Sequence, residues 1–146
     1  MFLQNNMRNR ATAIIIKDEK ILLFRRIKKG LEYFIFPGGG VEENETTEEA
    51  LKREVGEELS LEISKWKHLF DMEVNVPPVF LGHAHQKYFL YLIEEYTGTP
   101  EIGGPEKEAN REDNQFHLVW IPIINLSKMD NLYPKEIISK LNKHHK

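Results

Sequence analysis

Short apolar runs separated by polar turn residues dominate the chain and predict a protein built mainly of strands. The predicted strands are residues 10–17, 20–26, 33–36, 66–76, 87–96 and 116–121. Asp18 and Glu19 separate the first two runs, which are therefore predicted to form a hairpin. Pro37 and the glycines after it end the third strand. Residues 77–82 are predicted to form a loop, and the polar residues 98–115 a second, mobile one.

Two segments place apolar residues at helical spacing. These residues are Leu51, Val55 and Leu59 in a central helix and Ile137, Ile138 and Leu141 in a C-terminal helix. Thr46 and Glu49 have the spacing of a capping box at the start of the central helix, and Pro134 suits the first turn of the other. Strands with one central and one terminal helix, without repeats or a linker, predict a single α/β domain over residues 1–146.

Three glutamates of the central helix are predicted to lie beside its apolar stripe. At about 100° of rotation per residue, Glu58 lies about 40° to one side of Glu54, and Glu57 about 60° to the other. Carboxylates are hard oxygen ligands that suit Mg²⁺ or Mn²⁺. Like charges this close repel each other unless a cation lies between them. The three acids therefore form a candidate metal site.

The residues around these acids suggest how the acids are held. The glycines at positions 38–40 are predicted to form a turn that allows the backbone to approach a ligand closely. Arg53 can pair with glutamates along the helix and can also reach Glu45 in the preceding loop. The alternative is an ordinary solvated helix face, since residues 42–58 contain eight glutamates. That composition explains neither the three glycines nor the position of the acids beside the apolar stripe.

Composition narrows the class of protein. A chain of 146 residues is large enough for one domain with a substantial core, and its net charge of −3 argues against a nucleic-acid-binding surface. There are no cysteines, which excludes disulfides and thiol chemistry. The N-terminal residues lack the apolar core of a signal peptide, and the apolar runs are too short to span a membrane. We therefore expect a cytoplasmic protein with no membrane partner.

The segment from Gly39 to Leu61 resembles the Nudix box. That motif reads Gly, five residues, Glu, seven residues, Arg-Glu, an aliphatic, any residue, Glu-Glu, any residue, Gly and an aliphatic. The matching residues here are Gly39, Glu45, Arg53, Glu54, Val55, Glu57, Glu58, Leu59 and Leu61. Ser60 stands where the family has glycine. Because that glycine is expected to end the helix in a left-handed conformation, serine there should cost about 1 kcal/mol of stability.

The resemblance implies a fold and a reaction. It implies the Nudix α/β/α sandwich with a mixed β-sheet, and hydrolysis of a diphosphate bond in a nucleoside diphosphate linked to another group. Glu57, Glu58 and the Gly38 carbonyl would hold Mg²⁺ or Mn²⁺. Glu54 would hold metal or accept a proton from the attacking water. Arg53 and Glu45 would form a structural pair that orients the acids.

Charged residues outside the motif are candidates for contacts with substrate. Arg25 and Arg26 end a strand near the glycines, and strand alternation allows only one of them to face the site and bind a phosphate. Glu106 lies in the loop where many members of the family place a further metal-binding or base carboxylate. The same loop also offers Glu101, Glu108 and Glu112.

Aromatic and amide residues are candidates for contacts with a base. Phe34, Phe80 and Trp120 can stack on a base, although strand aromatics more often belong to the core. Asn131 can hydrogen-bond a base near the C-terminal helix. His83 and His85 alternate at a strand start without an evident third ligand, so we expect them at the surface or in a substrate cleft and not in a zinc site.

Three readings of the substrate remain open. The first is a MutT-like nucleoside triphosphate pyrophosphohydrolase, including oxidised purine nucleotides, which the small size favours. The second is a pyrophosphatase of ADP-ribose or another nucleotide sugar, whose members often form larger dimers with an added N-terminal region. The third is a nucleotide-binding sensor without catalysis, which would be expected to lose acids of the motif. In each case the partner is a nucleotide-type small molecule and the protein a monomer or homodimer.

Overall fold

A computed structural model describes residues 8–75, 85–104, 107 and 110–145. The strands are β1 (Arg8–Ile14), β2 (Ile16–Lys17), β3 (Lys20–Lys28), β4 (Leu31–Ile35), β5 (Gly38–Gly40), β6 (Glu62–Asn75), β7 (His85–Thr97), β8 (Asn114–Pro122) and β9 (Leu132–Tyr133). The helices are α1 (Thr47–Leu59), α2 (Glu136–His145) and a 3-10 helix (Ile123–Lys128). No helix in these described ranges is long and apolar enough to cross a membrane.

The strands form two sheets, each with parallel and antiparallel neighbours. The first has the order β5-β1-β7-β6, in which only the β1–β7 pair is parallel. In the second, β3 pairs antiparallel with β2, β4 and β8, and β9 lies parallel to β4. The predicted mixed pairing is therefore confirmed, divided between two sheets.

The side chains of alternate strand residues pack into two separate hydrophobic cores. Ala11 and Ala13 of β1 pack in the same core as α1, and Ile14 packs in the core that contains α2. The two cores thus lie on opposite faces of the strands, each closed by one helix. This arrangement confirms the predicted α/β/α sandwich.

The turns explain two of the strand pairings. Asp18 and Glu19 both have positive φ, at 52° and 62°, as a two-residue hairpin turn of type I′ requires. They join β2 to β3 with Lys17 opposite Lys20, so the predicted hairpin is confirmed. Lys29 and Gly30 form a second left-handed turn between β3 and β4.

Several element bounds differ from the sequence prediction. The strand predicted from residue 66 begins at Glu62, and Asn114, inside the predicted loop 98–115, already belongs to β8. Pro134 lies two residues before α2, not in its first turn. The glycines at 38–40 form a strand and not a turn, because their backbone pairs with β1. The predicted loop 77–82 lies outside the described residues.

Candidate active site

Helix α1 begins with the predicted capping box. The Thr46 hydroxyl accepts the Glu49 N–H at 3.0 Å, and the Glu49 carboxylate accepts the Thr46 N–H at 2.8 Å. One residue on, the Thr47 hydroxyl lies 2.6 Å from that of Tyr91 on β7. The first turn of the helix is therefore fixed both locally and to the first sheet.

The acids of α1 border its buried face, as the angular argument predicted. Leu51, Val55 and Leu59 are fully buried. Next to them Glu58 is 8% exposed, while the side chains of Glu54 and Glu57 are 17% and 52% exposed. Exposure thus rises around the helix, so the three carboxylates face solvent to different degrees from one edge of the core.

The C-terminal end of α1 is completed by the segment that follows β7. Ser60 is left-handed at φ 61°, as expected at this position. The N–H groups of Glu101 and Gly103 donate to the carbonyls of Leu59 and Glu58, each at 3.0 Å, and the Ser60 hydroxyl donates to the Glu101 carbonyl at 3.2 Å. These bonds satisfy carbonyls that a helix end would otherwise leave without partners.

The first two glycines of strand β5 make close contacts with β1 and α1. A Cβ on Gly38, which has φ 140°, would lie 2.9 Å from the Cα of Thr12 on β1. A Cβ on Gly39 would clash with the Glu54 carboxylate, whose Oε1 would lie only 2.6 Å from it. The glycines therefore allow β1 to approach on one side and the acids of α1 on the other.

Arg53 links this strand to the loop and to the acids. Its guanidinium donates to both oxygens of Glu45, at 2.8 and 2.9 Å, and to the Gly40 carbonyl at 3.0 Å. Nη1 also lies 2.7 Å from Glu54 Oε1 and 3.5 Å from Glu57 Oε1. The predicted contact between Arg53 and Glu45 is present, and one cationic group already lies between two of the acids.

This ion pair shifts the pKa of both partners. The hydrogen bond from Arg53, helped by the Glu42 N–H at 2.9 Å, lowers the pKa of Glu45 from 4.5 to about 2. The hydrogen bond to Glu45, followed by that to Glu54, raises the pKa of Arg53. Glu45 is consequently a carboxylate throughout the physiological range.

Gly38 is held at both ends of its backbone. Its N–H donates to Glu58 Oε1 at 2.8 Å, and its carbonyl accepts from Arg10 Nη2 at 3.3 Å. Arg10 was not predicted from the sequence. It lies 28 residues before Gly38, and the alternation of apolar and polar residues along its strand does not distinguish it from other surface residues. Sequence reasoning also missed the Gly40 carbonyl as a partner of Arg53.

The oxygen atoms of the acids and of the Gly38 carbonyl are of the kind that binds a divalent metal, but they do not converge on one point. Within the described ranges, no three His, Asp or Glu side chains are arranged to hold a metal ion. The reason is that Glu54 and Glu57 face Arg53, whereas Glu58 faces the Gly38 N–H. Three carboxylates and one backbone carbonyl are nevertheless the hard oxygen donors that Mg²⁺ and Mn²⁺ prefer.

The two candidate arginines on β3 have different surroundings. Arg25 is partly exposed and pairs with Glu32 at 2.6 Å. Arg26 is buried, lies over the Phe116 ring with its guanidinium carbon 3.6 Å from the centroid, and hydrogen-bonds Asn114 Oδ1. Among the described residues, Arg25 forms no hydrogen bond or ion pair with the acids of α1.

The other candidates lie in four groups. Asn131 donates to the Glu32 carbonyl at 3.1 Å beside β4, and His85 pairs with Glu73 across β6 and β7 at 3.4 Å. Phe34 packs against the α2 core and Trp120 against the α1 core, each partly buried. The candidates outside the described residues are Phe80, His83, Glu106 and Glu108. The remaining loop acids, Glu101 and Glu112, offer backbone carbonyls to Ser60 and Gln115.

Helix α1, the glycine strand and the Arg53 network together characterise a class of protein. Comparison with known protein families identifies that class. The model of the NUDIX domain matches residues 7–141. The chain therefore belongs to the NUDIX family, whose members act on nucleotide-type small molecules and generally use a divalent metal.

Two relatives match parts of the chain. It is 38% identical to an ADP-ribose pyrophosphatase from Methanocaldococcus jannaschii over 97 residues, which are 66% of this chain and 56% of that protein. It is 43% identical to an 8-oxo-dGTP diphosphatase from Buchnera aphidicola over 61 residues, 40% of this chain and 47% of that protein. The matches thus span about half the length of these relatives.

Solved structures share the fold over nearly the whole chain. A MutT NUDIX hydrolase from Burkholderia pseudomallei superposes with a TM-score of 0.70 at 24% identity, covering 92% of this chain and 96% of its own. The MutT protein from Methanosarcina mazei gives 0.74 at 17% identity, covering 99% of each chain. At these identities the likeness establishes the fold.

Proposed function

We propose that this protein is a Mg²⁺-dependent hydrolase that cleaves the diphosphate bond of a nucleoside diphosphate linked to another group. The observation that carries the proposal is the Arg53 network, in which one guanidinium contacts Glu45, Glu54, Glu57 and the Gly40 carbonyl. The planar guanidinium, which donates several hydrogen bonds at once, fixes the loop, the glycine strand and two acids relative to one another. Such fixed spacing is what an acid cluster needs for positioning a phosphate and a water molecule.

The proposal divides the residues into metal ligands, a possible proton acceptor and positioning residues. Glu57, Glu58 and the Gly38 carbonyl would hold the metal, and Glu54 would hold metal or accept the proton of the attacking water. When bound, Mg²⁺ neutralises phosphate oxygens and lowers the pKa of coordinated water. Arg53 and Glu45 are positioning residues, because they touch the acids and the backbone.

The leading substrate class is a nucleoside triphosphate, including oxidised purine nucleotides, cleaved with release of pyrophosphate. The Buchnera relative named 8-oxo-dGTP diphosphatase supports this choice. The second candidate is ADP-ribose or a nucleotide sugar, cleaved to two monophosphates. The longer match to the protein named ADP-ribose pyrophosphatase favours it. A cytoplasmic location accords with either class.

The products decide between the two classes. The wild-type protein is incubated with Mg²⁺ and nucleoside triphosphates, 8-oxo-dGTP or ADP-ribose, and pyrophosphate and nucleoside monophosphates are measured. Glu54→Gln and Glu57→Gln should each lower turnover by about 10²-fold or more.

Glu48→Gln, an exposed change in the first turn of the same helix, is the matched control for these two variants and should keep wild-type turnover. Full Mg²⁺-dependent activity in both test variants would refute the assignment, and binding without turnover in the wild type would indicate a sensor.

A further inference from the structure

Arg10 is a partly buried cation without a carboxylate partner among the described residues. Arg25 and Arg53 both form ion pairs, and buried Arg26 bonds Asn114. Among the described residues, Arg10 donates to the Gly38 carbonyl at 3.3 Å and lies over the face of the Tyr88 ring, 5.8 Å from its centroid. A charge withdrawn from water is costly unless an opposite charge or full hydrogen bonding compensates it.

Two polar atoms at this place are buried and have no hydrogen-bond partner. They are Arg10 Nε and the hydroxyl of Tyr88, a residue only 2% exposed. The pKa of the Tyr88 hydroxyl is raised, and burial is the largest cause. The charge of Arg10 has a smaller, lowering effect, and the charge of Glu136 on α2 a raising one. The hydroxyl is therefore a neutral donor, and the surroundings of Arg10 offer unused donor capacity.

The position of this cation relates it to the candidate site. Arg10 and Glu58 contact the two ends of the same residue, the first through the Gly38 carbonyl and the second through its N–H. A ligand that spans the glycine strand would thus meet acids on one side and, on the other, a guanidinium that has no carboxylate partner among the described residues. An anionic ligand would compensate that guanidinium, and a diphosphate carries the pairs of oxygens that arginine binds in a two-pronged manner.

We propose that Arg10 binds phosphate oxygens of the substrate, with the Tyr88 ring as the surface that orients its guanidinium. This inference rests on the proposed function, since it assumes a diphosphate-containing ligand. It adds a substrate-binding residue that lies outside the Nudix box and was not identified from the sequence.

The test measures binding apart from turnover. Inorganic pyrophosphate is titrated into the wild-type protein in Mg²⁺ buffer by calorimetry, at two salt concentrations. Arg10→Met removes the charge while keeping an apolar chain over Tyr88, and should weaken binding about 10- to 100-fold, with a smaller dependence on salt. Arg10→Lys keeps the charge without the fork and should give an intermediate affinity. Lys17→Met, at the exposed end of β2, changes the net charge equally and should bind like the wild type.

Steady-state kinetics separate binding from a merely structural role. With whichever substrate the wild type hydrolyses, Arg10→Met should raise KM by a similar factor and leave kcat within a few-fold. A variant with unchanged pyrophosphate affinity would overturn the proposal, and so would one that lowers kcat and thermal stability without changing that affinity. If Arg10→Met does not fold, Arg10→Gln replaces it as the uncharged variant, and wild-type pyrophosphate affinity in Arg10→Gln would also overturn the proposal. Failure of the wild type to hydrolyse any compound would instead refute the proposed function, and the pyrophosphate titration would still test Arg10.

Discussion

Arg53 and Glu45 form a two-pronged ion pair, with Nε and Nη2 donating to the two carboxylate oxygens at 2.8 and 2.9 Å. The pair ties the loop before α1 to the helix that carries the acids. Because it lowers the pKa of Glu45 from 4.5 to about 2, it makes a prediction about stability in acid.

We expect the contribution of Glu45 to stability to be complete above about pH 4.5 and to be lost as the pH falls toward 2. A carboxylate with a lowered pKa in the folded state stabilises the fold only while it is ionised. Urea unfolding of wild type and Glu45→Gln should therefore differ most near pH 7 and converge near pH 2. Glu43→Gln, an exposed change in the same loop, serves as control and should track the wild type throughout. A gap between wild type and Glu45→Gln that did not change with pH would contradict the assigned cause.

Adding one methyl group to neighbouring glycines should have different effects. In Gly39→Ala the methyl group meets the Glu54 carboxylate, so we expect activity to fall by about 10²-fold with little change in the unfolding midpoint. In Gly38→Ala it meets the backbone of β1 at positive φ, which should cost about 2 kcal/mol or more of stability. Thermal unfolding and turnover measured on both variants check this, and equal loss of stability in the two would show that Glu54 does not yield to the added methyl.

Ser60 offers a test of the helix end. Ser60→Gly relieves about 1 kcal/mol of left-handed strain but loses an exposed hydrogen bond worth about 0.5 kcal/mol, so a slight stabilisation is expected. Ser60→Ala keeps the strain and loses the bond, so it should destabilise the protein by about 0.5 kcal/mol. Chemical denaturation ranks the three proteins, and an alanine variant more stable than the glycine variant would contradict the account.

Divalent metal should stabilise the folded protein. The three acids of α1 repel one another, and a cation bound only by the folded state stabilises it by about 1.4 kcal/mol at ten times its Kd. Mg²⁺ at that concentration should raise the thermal midpoint of the wild type by about 3–6 °C, and EDTA should reverse the shift. Glu57→Gln should show a much smaller rise, with Glu48→Gln as the control. An equal rise in Glu57→Gln would remove Glu57 from the metal site.

Features set by neighbouring residues could be predicted from the sequence, and those set by distant backbone could not. The Thr46–Glu49 cap, the left-handed Ser60, the hairpin at Asp18 and the contact of Arg53 with Glu45 all join residues within eight positions of each other. The roles of the acids in catalysis and metal binding remain predictions.

The long-range contacts gave no local signal. The glycine strand pairs with β1 across 28 residues at Ala11 and Gly39, and the bond of Gly103 to Glu58 crosses 45 positions. Hydrophobic periodicity does not report such pairs, because they depend on which strands become neighbours. For the same reason Arg10 was not identified until the fold was known.

The end of α1 has a consequence for protein engineering. Its last turn contains no basic residue, and its carbonyls are bonded by Glu101 and Gly103, which come from beyond β7. The glycine strand likewise depends on the backbone of β1. Residues 38–61 are therefore not a self-contained cassette. Grafting them onto another scaffold would require a host that supplies a paired strand beside the glycines and a returning loop at the end of the helix.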